Sequence, residues 1–168
     1  MTNTVLMARN ETLDIDTDVK SENRTAIAGM IGKVLASTYI LYHKTQGFHW
    51  NVTGPMFLSV HELTERHYKD LAKGIDDLAE RIRTLGEPAP MGLTGYINDS
   101  KIPDQPEFPT VGQMLETLAQ DHLTVADEMR GIVEASEKLK DVYTADLLTA
   151  RIGEHEEAAW MLKALAAS

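Results

Sequence analysis

The sequence predicts an all-α chain folded as a four-helix bundle, with one long connection between its second and third long helices. Three observations carry that expectation. Apolar residues recur at helical spacing in four long segments, and no segment alternates with period two. A Pro- and Gly-rich stretch, "GEPAPMGLTGYINDSKIPDQPEFP" (residues 86–109), divides the four segments into two pairs. At 168 residues with 43% hydrophobic content, the chain is one domain's worth and can bury a core without staples.

The first 20 residues are polar and aperiodic and read as a flexible tail, with residues 21–168 forming the bundle domain. The first helix is expected over 22–50, where Ile27, Ile31, Val34, Thr38, Tyr42, Thr45 and His49 share one arc at 100° per residue. Thr53-Gly54-Pro55 ends it. The second runs over 57–85 through Leu63, Leu71, Ile75, Leu78, Ile82 and Leu85, and is stopped by Gly86 and Pro88. The connection that follows is far longer than the roughly 2–8 residues usual between bundle helices, so it can run the height of the bundle. A short helix is expected within it around Leu93–Ile97. The next long helix begins at Thr110, where Thr110-x-x-Gln113 forms a capping-box pattern, and continues to about 137 through Leu115, Leu118, His122, Val125, Met129 and Ile132. The last spans Thr144 to Ala166 through Leu148, Ile152, His155, Ala159 and Leu162.

Composition excludes several classes of function. Without cysteine there is no disulfide framework, thiolate zinc site or thiol nucleophile. The N-terminus has no apolar signal core, and no run approaches the roughly 18 apolar residues of a membrane span, so the expected location is the cytoplasm. A formal charge of −10 opposes capture of DNA phosphates by the body of the protein and suits cations as partners.

The chemistry concentrates in "GFHWNVTGPMFLSVHE", where His49 and His61 flank one turn. Imidazole together with carboxylate suits iron, zinc or manganese. Glu65, Asp76 and Glu80 lie within about 100° of His61 around the second helix. Distance along the axis separates them, however. Asp76 is about 22 Å from His61 at 1.5 Å rise per residue, and metal–ligand bonds are about 2 Å long. His49 with His61, and Asp76 with Glu80, therefore make two half-sites. Antiparallel packing of this helix on its copy in a second subunit would join them, with a two-fold axis near Tyr68–Leu71, and an isologous dimer would hold two identical sites. Each piece has a commoner role, since histidines near a turn and Asp-x3-Glu on a solvated face are ordinary. The shared face and the single axis are what set this arrangement apart.

"KTQGFHWNVTGPMFLSVHE" followed by "IDDLAERI" resembles the Dps family of mini-ferritins, and the similarity extends to "EEAAWML" near the C-terminus. The resemblance implies a ferritin-like bundle assembled into a hollow homododecamer that oxidises Fe(II), preferentially with hydrogen peroxide, and stores Fe(III) as mineral. It implies a ferroxidase centre at the two-fold interface, with His49 and His61 from one subunit and Asp76 and Glu80 from its neighbour. Glu65 matches a position that is often aspartate in the family and helps hold a second iron. Trp50 reads first as an amphipathic anchor at a helix end and second as an electron donor beside the iron. Asp146, and less directly Asp141, match positions lining a threefold pore for Fe(II), although an acidic cluster at a helix start is ordinarily solvated and suits the helix dipole.

His43 and His67 project away from the site, whereas His122 and His155 fall on apolar stripes and read as hydrogen-bonded core residues. The tail carries only Arg9 and Lys20 against Glu11, Asp14, Asp16 and Asp18, unlike the lysine-rich tails of DNA-binding family members. DNA binding would then need bridging divalent cations, and a role as a nucleoid protein shielding DNA is the alternative function. A di-iron site inside the bundle needs Glu-x-x-His pairs, and the chain has none.

Overall fold

The structure is a computed structural model and describes residues 19–167, together with Thr12, Ile15 and Thr17. Most of the expected tail lies outside the described residues, including Arg9 and the acidic residues set against it. Val19, at the tail's end, is buried in the core and accepts a bond from Arg24 at 3.1 Å.

Five helices and no strand occur among the described residues: α1 (Ser21–Asn51), α2 (Phe57–Thr84), α3 (Leu93–Asp99), α4 (Val111–Lys138) and α5 (Val142–Ala166). α1 ends at an extended Val52, and Gly54 turns the chain in the left-handed region, with φ +89°. α2 closes on Gly86, where bonds from Gly86 to Arg83 and from Glu87 to Ile82 form a Schellman cap. At α4 the capping box is present in both directions between Thr110 and Gln113. α5 starts two residues before the expected Thr144, because Asp141 caps it by accepting the Thr144 N–H at 3.0 Å.

Pairings along the helices give the topology. Lys44 meets Asp121 at 2.6 Å, so α4 lies against α1, and Asp70 meets Arg151, so α5 lies against α2. The crossover climbs beside α1: Glu87 accepts from Thr25 at 2.7 Å, the Lys101 N–H donates to Ser37 at 3.0 Å, and residues 104–109 line a pocket with His43, Phe48 and Asn51. α4 therefore begins at the end of the bundle where α1 finishes. This is the expected bundle with a long crossover that carries a short helix.

α1 is mostly buried between Val34 and His49, while Gly29, Lys33 and His43 mark its exposed side. Contrary to the expectation that no segment approaches a membrane span, α1 would pass as one by length and composition alone. Its apolar residues Ile27, Ile31, Val34, Leu35 and Leu41 instead face the bundle interior, and Lys44 is ion-paired there. It is the core helix of the bundle.

Candidate metal centre

The local fold presses the two site histidines together. His49 sits in the last turn of α1 and His61 in the second turn of α2, and the tight turn between these helices brings the rings to 3.8 Å between centroids, nearly parallel at 15°. Each imidazole bonds the other residue's backbone. His49 Nδ1 lies 2.8 Å from the His61 carbonyl, and His61 Nδ1 lies 2.9 Å from the His49 carbonyl. A carbonyl only accepts, so both Nδ1 atoms carry the proton. In the neutral rings both Nε2 lone pairs are then available, and neither has a partner among the described residues. Phe57 stacks on His61 at 5.0 Å, and Tyr68 meets His49 edge-on at 5.2 Å. The imidazole pair is thus clamped in an aromatic sandwich.

Other candidates are placed differently. Trp50 follows His49 directly and is 63% exposed. Glu65 lies one turn beyond His61, and its carboxylate is held by Lys69 at 2.5 Å, a bond that keeps its pKa below the ordinary value. Asp76 and Glu80 are exposed on the solvent side of α2. Among the described residues, no group of three or more His, Asp or Glu within one chain is arranged to hold a metal. One chain therefore brings His49 and His61 together and leaves Asp76 and Glu80 as a separate exposed pair.

The two pore candidates separate. Asp146 is exposed near the start of α5. Asp141 is not the solvated carboxylate its position suggested. It is 2% exposed, bonded to Arg81 at 2.7 Å and to the Thr144 hydroxyl at 2.6 Å. Burial pushes its carboxyl up, but the bonds from Thr144 and Arg81 prevail and hold it below the usual range. Its carboxylate is committed to capping α5 and tying that helix to α2.

Three of the remaining four histidines form a second group deep in the bundle, while His43 is exposed on α1. His122 and His155 approach Nδ1 to Nδ1 at 2.9 Å, as their apolar stripes suggested. His67, placed away from the metal candidates by its angle, packs edge-on against His122 at 5.4 Å. Burial pushes His67 down to about 4 and His155 to about 3, and lowers His122 well below its ordinary value. These three are neutral core residues. Sequence reasoning missed Phe57, Thr64 and Tyr68, which surround the imidazole pair; the one available signal was helical spacing, since residues 57, 61, 64 and 68 share a face of α2.

A ferritin-like domain matches residues 30–168. DNA protection during starvation protein 2 of Bacillus anthracis is 33% identical over 135 residues, covering 80% of this chain and 92% of that protein. The chain belongs to the Dps family. An uncharacterised low temperature-induced protein of Nostoc is 36% identical over 151 residues, covering 89% of this chain and 84% of its own. Among solved structures, Dps of Vibrio cholerae O1, described as a member of a broad superfamily of ferritin-like diiron-carboxylate proteins, superposes with TM-score 0.85 at 27% identity, covering 90% and 96% of the two chains. A Mycobacterium smegmatis Dps superposes with TM-score 0.84 at 29% identity, covering 90% and 93%. Iron storage and DNA protection are the general functions of the Dps family.

Proposed function

We propose that this Dps chain is a ferroxidase subunit of a soluble, cytoplasmic twelve-subunit cage that oxidises Fe(II), preferentially with hydrogen peroxide, and stores the Fe(III) as mineral. The observation that carries this reading is the reciprocal bonding of His49 and His61. It fixes both tautomers, holds both rings and leaves two Nε2 donors for the substrate iron. Two imidazoles alone are an incomplete site, and the exposed Asp76 and Glu80 complete it when supplied by the partner subunit across the two-fold axis.

The chain's own residues then have distinct parts. His49 and His61 bind and orient Fe(II), while the carboxylates of Asp76 and Glu80 offset its charge and favour Fe(III) as it forms. Glu65 must leave Lys69 to reach a second iron, so the second position is weaker than the first. Asp146 guides Fe(II) inward, helped by the net charge of −10. DNA protection then follows from removing Fe(II) and peroxide together, and duplex DNA is held only through bridging divalent cations.

Anaerobic titration with Fe(II), followed by peroxide with absorbance and particle mass recorded, tests this. Saturable binding at the interface sites and rapid Fe(III) formation within an intact cage are expected. A stable monomer, or peroxide oxidation no faster than that of free Fe(II), contradicts it.

A further inference from the structure

Four of the chain's five tyrosines form a continuous line of rings that begins at the imidazole pair. Tyr68 touches His49 edge-on at 5.2 Å, Tyr42 lies 6.3 Å from Tyr68, Tyr39 lies 6.1 Å from Tyr42, and Tyr96 stacks on Tyr39 at 4.8 Å. Every step falls within the roughly 4.5–7 Å of packed aromatic pairs. The line crosses from α2 to α1 and then to the short helix α3 in the crossover, where the Tyr96 hydroxyl donates to the Pro90 carbonyl at 2.8 Å. Packing alone has no need of phenols at four successive positions, because phenylalanine would fill the same volumes without hydroxyls to satisfy. The fifth tyrosine, Tyr143, lies elsewhere, beside Arg81 at the start of α5.

We propose that Tyr68, Tyr42, Tyr39 and Tyr96 form an electron relay that supplies the second electron to peroxide when a centre holds a single Fe(II). This rests on the ferroxidase reading above. Peroxide needs two electrons to reach water, and one Fe(II) gives one; the other, if not supplied, leaves hydroxyl radical. With the relay the step is Fe(II) + H2O2 + Tyr68–OH → Fe(III) + H2O + OH− + Tyr68–O•. The O–O bond breaks, iron and tyrosine are each oxidised by one electron, and the phenolic proton ends in water. Each following hop returns an electron to the inner ring, which takes a proton back from water, while the newly oxidised outer ring releases one. The radical comes to rest on Tyr96, where a further Fe(II) reduces it: Tyr96–O• + Fe(II) + H+ → Tyr96–OH + Fe(III). The Glu65–Lys69 pair competes with iron at the second position, which favours the singly loaded centre, the state in which a relay matters.

The test has two arms. In the first, protein loaded anaerobically with one Fe(II) per centre is mixed with peroxide and freeze-quenched for electron paramagnetic resonance, with a spin trap for hydroxyl radical in parallel. A tyrosyl signal that narrows with ring-deuterated tyrosine, and not with deuterated tryptophan, is expected. Tyr42→Phe should confine the radical to Tyr68, Tyr68→Phe should abolish it and raise hydroxyl trapping several-fold, and Tyr143→Phe should change neither. The second arm needs no iron. The chain has no cysteine, so Asn51→Cys accepts a single photo-oxidant label. Flash oxidation should then populate Tyr96 in an otherwise unaltered chain and fail to do so with Tyr42→Phe. Fe(III) formed without a tyrosyl radical, or Tyr42→Phe indistinguishable from the parent in either arm, overturns the relay and leaves the ferroxidase reading standing. Absence of rapid Fe(III) formation overturns the ferroxidase reading and the relay's role with peroxide, even if the flash arm shows hopping.

Discussion

Acidification tests the three buried histidines, and its size follows from their surroundings. His67, His122 and His155 are neutral because burial penalises the imidazolium, with His67 held at about 4 and His155 at about 3. Unfolded, such groups titrate near 6.5. As pH falls through about 6.5 the unfolded chain binds protons that the folded chain refuses, so stability is fully present above that pH and declines below it. Each histidine contributes a slope of about 1.4 kcal/mol per pH unit, which amounts to roughly 2 kcal/mol at pH 5. His67 and His155 together remove roughly 4 kcal/mol per chain, a large share of the roughly 5–15 kcal/mol typical of a domain, and His122 adds to the loss. Carboxylates enter mainly at lower pH. Asp70 and Asp141 are held below their ordinary range and lose stability only there, while Asp121 and Glu128 are raised by burial and act in the opposite sense. The clean window is therefore pH 6.5 to 5. Urea unfolding followed by circular dichroism, at fixed protein concentration so that assembly contributes equally, measures the slope. His67→Leu removes one titrating ring whose nitrogens are both unpartnered among the described residues, and should lower the slope by about 1.4 kcal/mol per pH unit. A flat profile between pH 6.5 and 5, or a His67→Leu slope equal to the parent's, refutes the reasoning.

Asp141→Ala should cost about 3–5 kcal/mol, because it strands the buried Arg81 and uncaps α5; thermal unfolding reads this. Asp146→Ala should leave the melting temperature unchanged and slow the initial rate of iron uptake. Lys140 holds a left-handed φ of 63° in the Schellman cap of α4, so Lys140→Gly should raise stability by about 1 kcal/mol in urea unfolding. Lys69→Met frees Glu65 and should increase the Fe(II) bound per centre in an anaerobic titration, and an unchanged number would show that Lys69 does not restrain the second position.

The four long helices were legible because each buries a stripe at 3.6-residue spacing and ends on a local signal, as Gly86 ends α2 and Thr110 opens α4. The imidazole pair was legible as two residues on either side of one turn. Its locking was not, because the Nδ1 bonds go to backbone carbonyls, which every residue carries and no side-chain pattern reveals. Asp141 was misread for a related reason. An aspartate before a helix is the same letter whether it is solvated or buried beneath an arginine from a helix 60 residues earlier, and only the α2–α5 packing decides. The membrane-like hydropathy of α1 is the converse case, a helix whose apolar residues face the core of a small bundle.

The central claim is that one centre is built by two chains, and subunit mixing addresses it directly. His61→Ala and Asp76→Ala should each lose most rapid peroxide-driven iron oxidation. When the two variants are dissociated, mixed and reassembled, each unlike pair forms one centre with both lesions and one with neither. Activity should then return in proportion to the unlike interfaces, with mixing confirmed by native mass spectrometry. Mixed cages as inactive as their parents would contradict the shared centre.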